Sequence, residues 1–172
     1  MANLINRLNN VNIYANGASL LGKAKELELP ELTQVTDENK PLGAIGTTEY
    51  FSGFEKMEAK IIWSSLYGDV MALIADPFKV HNLQVRGSLD QHDSSGAQTP
   101  KPVVIYLTAR FKSVPFGSFK AMENVELETN LAVTAIKMEI DGRPIVEFDA
   151  TAMIYKVEGR DILAAYRENI GA

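Results

Sequence analysis

The chain has 172 residues, 46% hydrophobic and 23% charged, with a formal net charge of −5. That length suits one domain with an apolar core, and the acidic balance excludes a protein that grips phosphates through clustered Lys and Arg. With no cysteine there is no disulfide, no Cys-ligated zinc and no thiol nucleophile.

The opening residues from Met1 to Arg7 lack the long apolar core of a secretory signal. The longest uncharged apolar run, Ile61 to Gly68, is far too short to span a bilayer. The expectation is a protein made and folded in a cytoplasm.

In chain order, the first signal is Asn16-Gly17, a strong two-residue hairpin turn between strands at Asn10 to Ala15 and Ala18 to Leu29. Glu31 to Gly53 carries Pro41, Gly43, Gly46 and Gly53 with weak apolar content and reads as a loop. A structureless loop of that length is uncommon in a compact domain and is usually a functional segment. Lys56 to Ser64 alternates, with Met57, Ala59, Ile61 and Trp63 on one face and Glu58, Lys60 and Ser64 on the other. Asp69 is placed to cap a short helix from Val70 to Ala75, stopped before Pro77. That helix is nearly all apolar and needs cover from the sheets.

A strand from His81 to Asp90 turns Leu83, Val85 and Leu89 inward. Gln91 to Pro102 is a polar turn region. Val103 to Lys112 alternates again, with Val103, Ile105, Leu107, Ala109 and Phe111 on the core side. Another strand begins near Val125, with Leu127, Leu131 and Val133 on its apolar face and Glu126, Glu128 and Asn130 opposite. Near Ala135 the phase slips, and Ile136, Met138 and Ile140 become the apolar set. A half-buried strand can absorb such a slip only through a bulge or a change of sheet. Asp141-Gly142 fits a tight turn, and Arg143 to Tyr155 returns with Val146, Phe148, Ala150, Ala152 and Ile154 on one face. Asp161 is placed to cap a last helix, Ile162 to Asn169, with Gly171 just beyond.

These elements predict a mainly β, two-sheet β-sandwich or barrel subunit with short helices, as one domain over residues 1–172. They do not converge on chemistry. His92-Asp93-Ser94 names the residue types of a hydrolase triad, but consecutive residues in a polar loop do not converge as nucleophile, base and orienter. His81 is the only other histidine, which excludes a multi-His metal site. Gly43-Ala44-Ile45-Gly46-Thr47-Thr48 lacks the terminal Gly-Lys pair of a phosphate loop. Glu126 with Glu128, and Glu147 with Asp149, sit at i, i+2 on strand faces that read as solvated. No catalytic residue, metal ligand or cofactor is assigned.

The last third carries the most specific pattern. It runs Met138-Glu139-Ile140-Asp141-Gly142-Arg143, Ile145-Val146-Glu147-Phe148-Asp149, Met153-Ile154, Val157-Glu158-Gly159-Arg160-Asp161 and Arg167-Glu168-Asn169-Ile170-Gly171. This resembles the end of the major tail tube proteins of temperate phages with contractile tails and of R-type pyocins. Leu27-x-Leu29-Pro30-x-Leu32 and Met57-Glu58-Ala59-Lys60 resemble earlier landmarks of that family.

The resemblance implies a subunit of hexameric rings that stack into a tube. Each subunit lends strands to a ring-closed β-barrel around a channel, backed by a second sheet and a helix. The implied partners are further copies, a tail sheath, a tape-measure protein, and baseplate and tail terminator proteins. DNA passes through without specific binding. The implied location is a virion tail or a released bacteriocin particle, assembled in the host bacterial cytoplasm.

On this reading Glu126 and Glu128 are candidate lumen-facing residues. The segment 41–54 is a candidate assembly loop, with Gly43, Gly46, Tyr50, Phe51, Gly53 and Phe54 as inter-subunit or inter-ring residues. Its aromatics are groups that a permanently disordered loop rarely keeps. Two other readings stay open at the level of sequence. One is a secretion-system-type tube protein. The other is a monomeric β-sandwich binding module using Gln91 to Pro102 for recognition.

Overall fold

A computed structural model of the chain describes residues 5–43 and 45–171. Strand β1 (Ile5–Ala15) turns through Asn16 and Gly17, at φ 49° and 87°, into β2 (Ala18–Ser19). Two positive φ values are what the tight hairpin turn needs. The expected strand Ala18 to Leu29 is broken. Gly22 at φ 76° swings the chain away from β1, and β3 (Ala24–Glu28) pairs with β6 (Met57–Trp63) instead. The break has visible anchors. Leu20 is buried, Ser64 N donates to Lys23 O at 2.8 Å, and Lys23 pairs with Asp69.

The segment Glu31 to Gly53 is not a structureless loop. Within it β4 (Gln34–Asn39) and β5 (Thr48–Phe54) form a two-stranded hairpin that pairs with no other strand among the described residues. Every residue of β4 is exposed. A hairpin that buries little beyond Phe54 shows no apolar alternation, so periodicity does not reveal it.

Helix α1 (Gly68–Ile74) buries Val70 and Ile74. Its N-cap is Tyr67, so Asp69 lies in the first turn and does not cap it. Strands β7 (His81–His92) and β8 (Gln98–Phe111) form a long hairpin in unbroken register from His81↔Ala109 to His92↔Gln98. Most of the expected turn region Gln91 to Pro102 is therefore ladder. The inward set also differs near its end, where Leu89 is half-buried and Asp90 is 5% exposed. A register shift in β1 between Leu8 and Asn10, opposite Leu89 and Ser88, changes the phase there.

Strand β9 (Leu127–Ile140) organises the sheet. One edge pairs with β8. The other pairs with β6 from Leu127 to Val133 and then with β10 (Arg143–Asp149) from Ala135 to Ile140. Thr134 is the extra residue between the two halves, because Thr108 faces Ala135 and Ala109 faces Val133. The bulge is held from both sides. Thr134 Oγ1 donates to Thr108 O at 3.2 Å, and Ala150 N donates to Thr134 O at 3.0 Å. The slip expected near Ala135 is thus both a bulge and a change of partner.

The expected return strand Arg143 to Tyr155 is interrupted at 150–153, where Ala150 and Ala152 are exposed. Asp149 Oδ1 folds that turn by accepting from Thr151 N, Thr151 Oγ1 and Ala152 N at 2.7–2.9 Å. Beyond it lie β11 (Ile154–Val157), β12 (Arg160–Asp161) and α2 (Ala164–Ile170), closed by Gly171 at φ 73°. The N-cap of α2 is Leu163. Asp161 sits two residues earlier, accepting from Leu163 N and pairing with Arg167 at 2.6 Å.

The strand order β12-β11-β10-β9-β8-β7-β1-β2, with β6 and β3 joined to β9, makes one ten-stranded sheet, and the β4–β5 hairpin makes a second. The large sheet curls around a core that includes Ile61, Trp63, Ile74, Leu107, Phe111 and Leu131. It does not close. A cleft of about 400 Å³ separates β1 from β3, floored by Val85, Val103 and Ile105. Among the described residues no strand pairs with the edge of β3 away from β6, or, ahead of Tyr14, with the edge of β1 away from β7.

Candidate functional site: assembly surfaces

The outward face of the curled sheet is polar because alternation sends Glu58 and Lys60 of β6, and Glu128 and Asn130 of β9, away from the core. Ion pairs lace it. Lys25 meets Glu126 at 2.6 Å, and Lys60 lies 3.2 Å from Glu28 and 3.9 Å from Glu128. Glu58 takes hydrogen bonds from Lys112 at 2.5 Å and Lys56 at 2.9 Å. Those two bonds hold its carboxyl down at about 2, far below the usual 4.5. The candidate residues Glu126 and Glu128 are therefore exposed on one face, each beside a lysine.

The hairpin arm holds the other candidates. Gly43, at φ 85°, and Gly46 lie at its tip. Ala44 between them is outside the described residues. Gly53, at φ 148°, lies at a bulge where Val35 faces Gly53 and Thr36 faces Phe51. Only glycine adopts that backbone freely. The bulge divides the aromatics. Tyr50 and Phe51 stay 58% and 56% exposed, while Phe54 turns to the body and packs edge-on against Phe148 and Tyr155. At the tip Leu42 and Ile45 are fully exposed. Below the arm, Phe51, Phe54, Met153 and Tyr166 line an apolar groove of about 530 Å³.

The remaining sequence candidates have structural uses. Asp93 Oδ1 closes the β7–β8 turn by accepting from Ser95 N, Ser95 Oγ and Ala97 N, which lowers its pKa. His92 stays in the ladder opposite Gln98. Glu147 pairs with Lys156 at 3.4 Å, and Asp149 folds its turn. His81 is buried against Phe111 and Asn16. Among the described residues no three His, Asp or Glu gather to hold a metal.

The sequence did not single out residues 113–124, between β8 and β9. Phe116, Phe119 and Met122 stand there 75%, 72% and 107% exposed. Their only signal is a run of aromatics without alternation around Gly117.

The chain is 29% identical over 170 residues to the tail tube protein of Escherichia phage P2, covering 96% of each chain. Its fold is similar to a sheath/tube terminator of an extracellular contractile injection system, solved in the extended state by cryo-electron microscopy. The TM-score is 0.56 at 10% identity, covering 75% of this chain and 92% of that one. Residues 5–171 match a phage tail tube family. On that match across residues 5–171, the chain belongs to the phage tail tube protein FII family, the structural subunits of phage tail tubes.

Proposed function

We propose that the chain builds the inner tube of a contractile phage tail as hexameric rings stacked along one axis. The observation that carries this reading is the family match over residues 5–171 in a subunit whose sheet leaves strand edges open at β1 and β3. Open edges invite pairing with another chain, and ring closure removes them. The sheath, tape-measure protein, baseplate and terminator are its partners in the tail, and it is assembled in the host cytoplasm.

In this reading the polar face that carries Glu126 and Glu128 lines the channel. Its charges are matched in pairs, so it offers DNA neither a run of cations to bind nor a strong repulsive field. The phosphate backbone then slides without sticking.

The arm is the element that joins copies. An isolated two-stranded hairpin is marginal in water, and burying Tyr50 and Phe51 against a neighbour offsets the cost of ordering it. The test is the double change Tyr50→Ser and Phe51→Ser. Both side chains are more than half exposed, so the subunit is expected to keep its circular dichroism and its unfolding midpoint. Tubes are expected to disappear from electron micrographs. Normal tube growth by this variant would remove the arm from the assembly.

A further inference from the structure

The loop 112–126 has no regular structure, yet its course is fixed. Val114 and Val125 pack against the core, and Lys112 N donates to Asn130 O at 2.8 Å. Gly117, at φ 79°, passes so close to β9 that a Cβ there would meet Val125 Cγ1 at 2.4 Å and Leu127 Cδ2 at 2.9 Å. From this pinned backbone Phe116, Phe119 and Met122 reach into solvent. Exposed apolar groups that are already ordered mark an interaction surface, because binding them costs little further entropy.

The groove at the root of the arm lies at the opposite end of the same ladder. The β6–β9 pairing runs from Met57↔Val133, beside the groove, to Trp63↔Leu127, beside the loop. The loop begins nearer the groove, where Lys112 meets Glu58, but seven paired residues set its part around Gly117 about 20 Å from the groove. A contact between unlike surfaces at opposite ends of a subunit is heterologous, so it repeats head to tail and does not stop at a dimer. The chemistry also matches. The groove offers aromatic edges and faces, with Phe51 and Phe54 5.1 Å apart. On its rim Glu55 forms no ion pair among the described residues, while the loop's Lys120 pairs only with Glu123 of the same loop, at 3.5 Å.

We propose that the groove receives the loop 112–126 of a second copy of this chain, with Phe116 and Phe119 as its anchors and Lys120 facing Glu55. This rests on the tail-tube reading and deepens it by naming two surfaces that join the copies.

The chain has no cysteine, so introduced thiols report alone. Ser118 in the loop and Ser52 in the groove are both exposed. Assembled Ser118→Cys, Ser52→Cys protein, treated with a short thiol-reactive linker, is expected to give a ladder of dimers, trimers and higher species on a denaturing gel. A mixture of the two single variants is expected to give dimers only. A control carrying Ser94→Cys with Ser52→Cys, which moves the loop thiol to the β7–β8 turn, is expected to stay monomeric. Phe119→Ser, which removes a side chain that is 72% exposed, is expected to leave the subunit folded and to raise the concentration needed for tubes roughly tenfold or more. Tubes that form without 118–52 cross-links, a control that cross-links equally, or Phe119→Ser protein that assembles like the parent would each overturn the proposal and leave the tube reading standing. A failure of the unsubstituted chain to form tubes would overturn the tube reading, and this inference with it.

Discussion

His81 shows how one residue ties local turn chemistry to stability. It is fully buried, and Asn16 Nδ2 lies 3.0 Å from its Nδ1. The Asn16 amide is oriented by its oxygen, which accepts from Asn82 N at 3.0 Å, so the amide donates and Nδ1 accepts. The ring proton therefore sits on Nε2, which is buried without a partner. Burial pushes the pKa below 6.5, Lys79 pushes the same way, and Asp76 opposes both. The unfolded chain thus takes up this proton at a higher pH than the folded one. Stability is full above about 6.5 and falls as pH drops below it. The midpoint of urea unfolding is expected to fall between about pH 7.5 and about pH 5.5, and His81→Leu is expected to flatten that segment. Equal pH dependence in both proteins would contradict the assignment. Glu58, at about 2, titrates well outside this window.

Thr129 occupies an apolar row and was absent from the expected core, because a hydroxyl there has no periodic signature. Trp63 Nε1 donates to its Oγ1 at 3.0 Å, and that oxygen donates on to Ile61 O at 3.2 Å. Thr129→Val keeps the shape but strands a buried indole N–H. It is expected to cost about 1–3 kcal/mol in chemical denaturation. An unchanged midpoint would mean that the indole finds another acceptor.

Among the elements, β9 was the most legible and has the most consequences. Its apolar set changes parity at Ala135, and the structure answers with a bulge at Thr134 that lets one strand serve β6 and β10 in turn. Deleting Thr134 would rotate one half of β9 by a full face, exposing either Leu127, Leu131 and Val133 or Ile136 and Met138. The expected outcome is loss of cooperative unfolding by circular dichroism. A deletion variant that melts like the parent would show that the bulge is dispensable.

The same alternation made β6 and β8 legible, because each buries one face against the core. It failed where burial is absent or where a neighbour sets the path. The β4–β5 arm buries too little to leave a pattern. The break at Leu20–Lys23 depends on Asp69 and Ser64, which lie far along the chain. The capping carboxylates were misread for a related reason. Asp69 is drawn to Lys23, a partner far along the chain, and Asp161 stops two residues short of the N-cap while pairing with Arg167 of its own helix. The family landmarks in the last third announced the tail-tube family, yet residues 113–124 with their aromatics lie in a stretch with neither landmark nor period.

At the scale of the whole molecule, the sheet stops short of closing on itself. The seam between β1 and β3, the projecting arm and the pinned aromatic loop are all surfaces that a single copy leaves open. A stable monomer would normally blunt such edges with charge, proline or a covering segment. Leaving them open fits a subunit whose finished form is a polymer, in which neighbouring copies provide what the chain does not.

Cryo-electron microscopy of the assembled chain tests this account most directly. The expected image is a hollow tube of stacked hexameric rings, with the Glu126 and Glu128 face toward the lumen and each arm seated on a neighbouring copy. Rings of any other symmetry, a lumen lined by a different face, or a chain that stays monomeric at every concentration would contradict it.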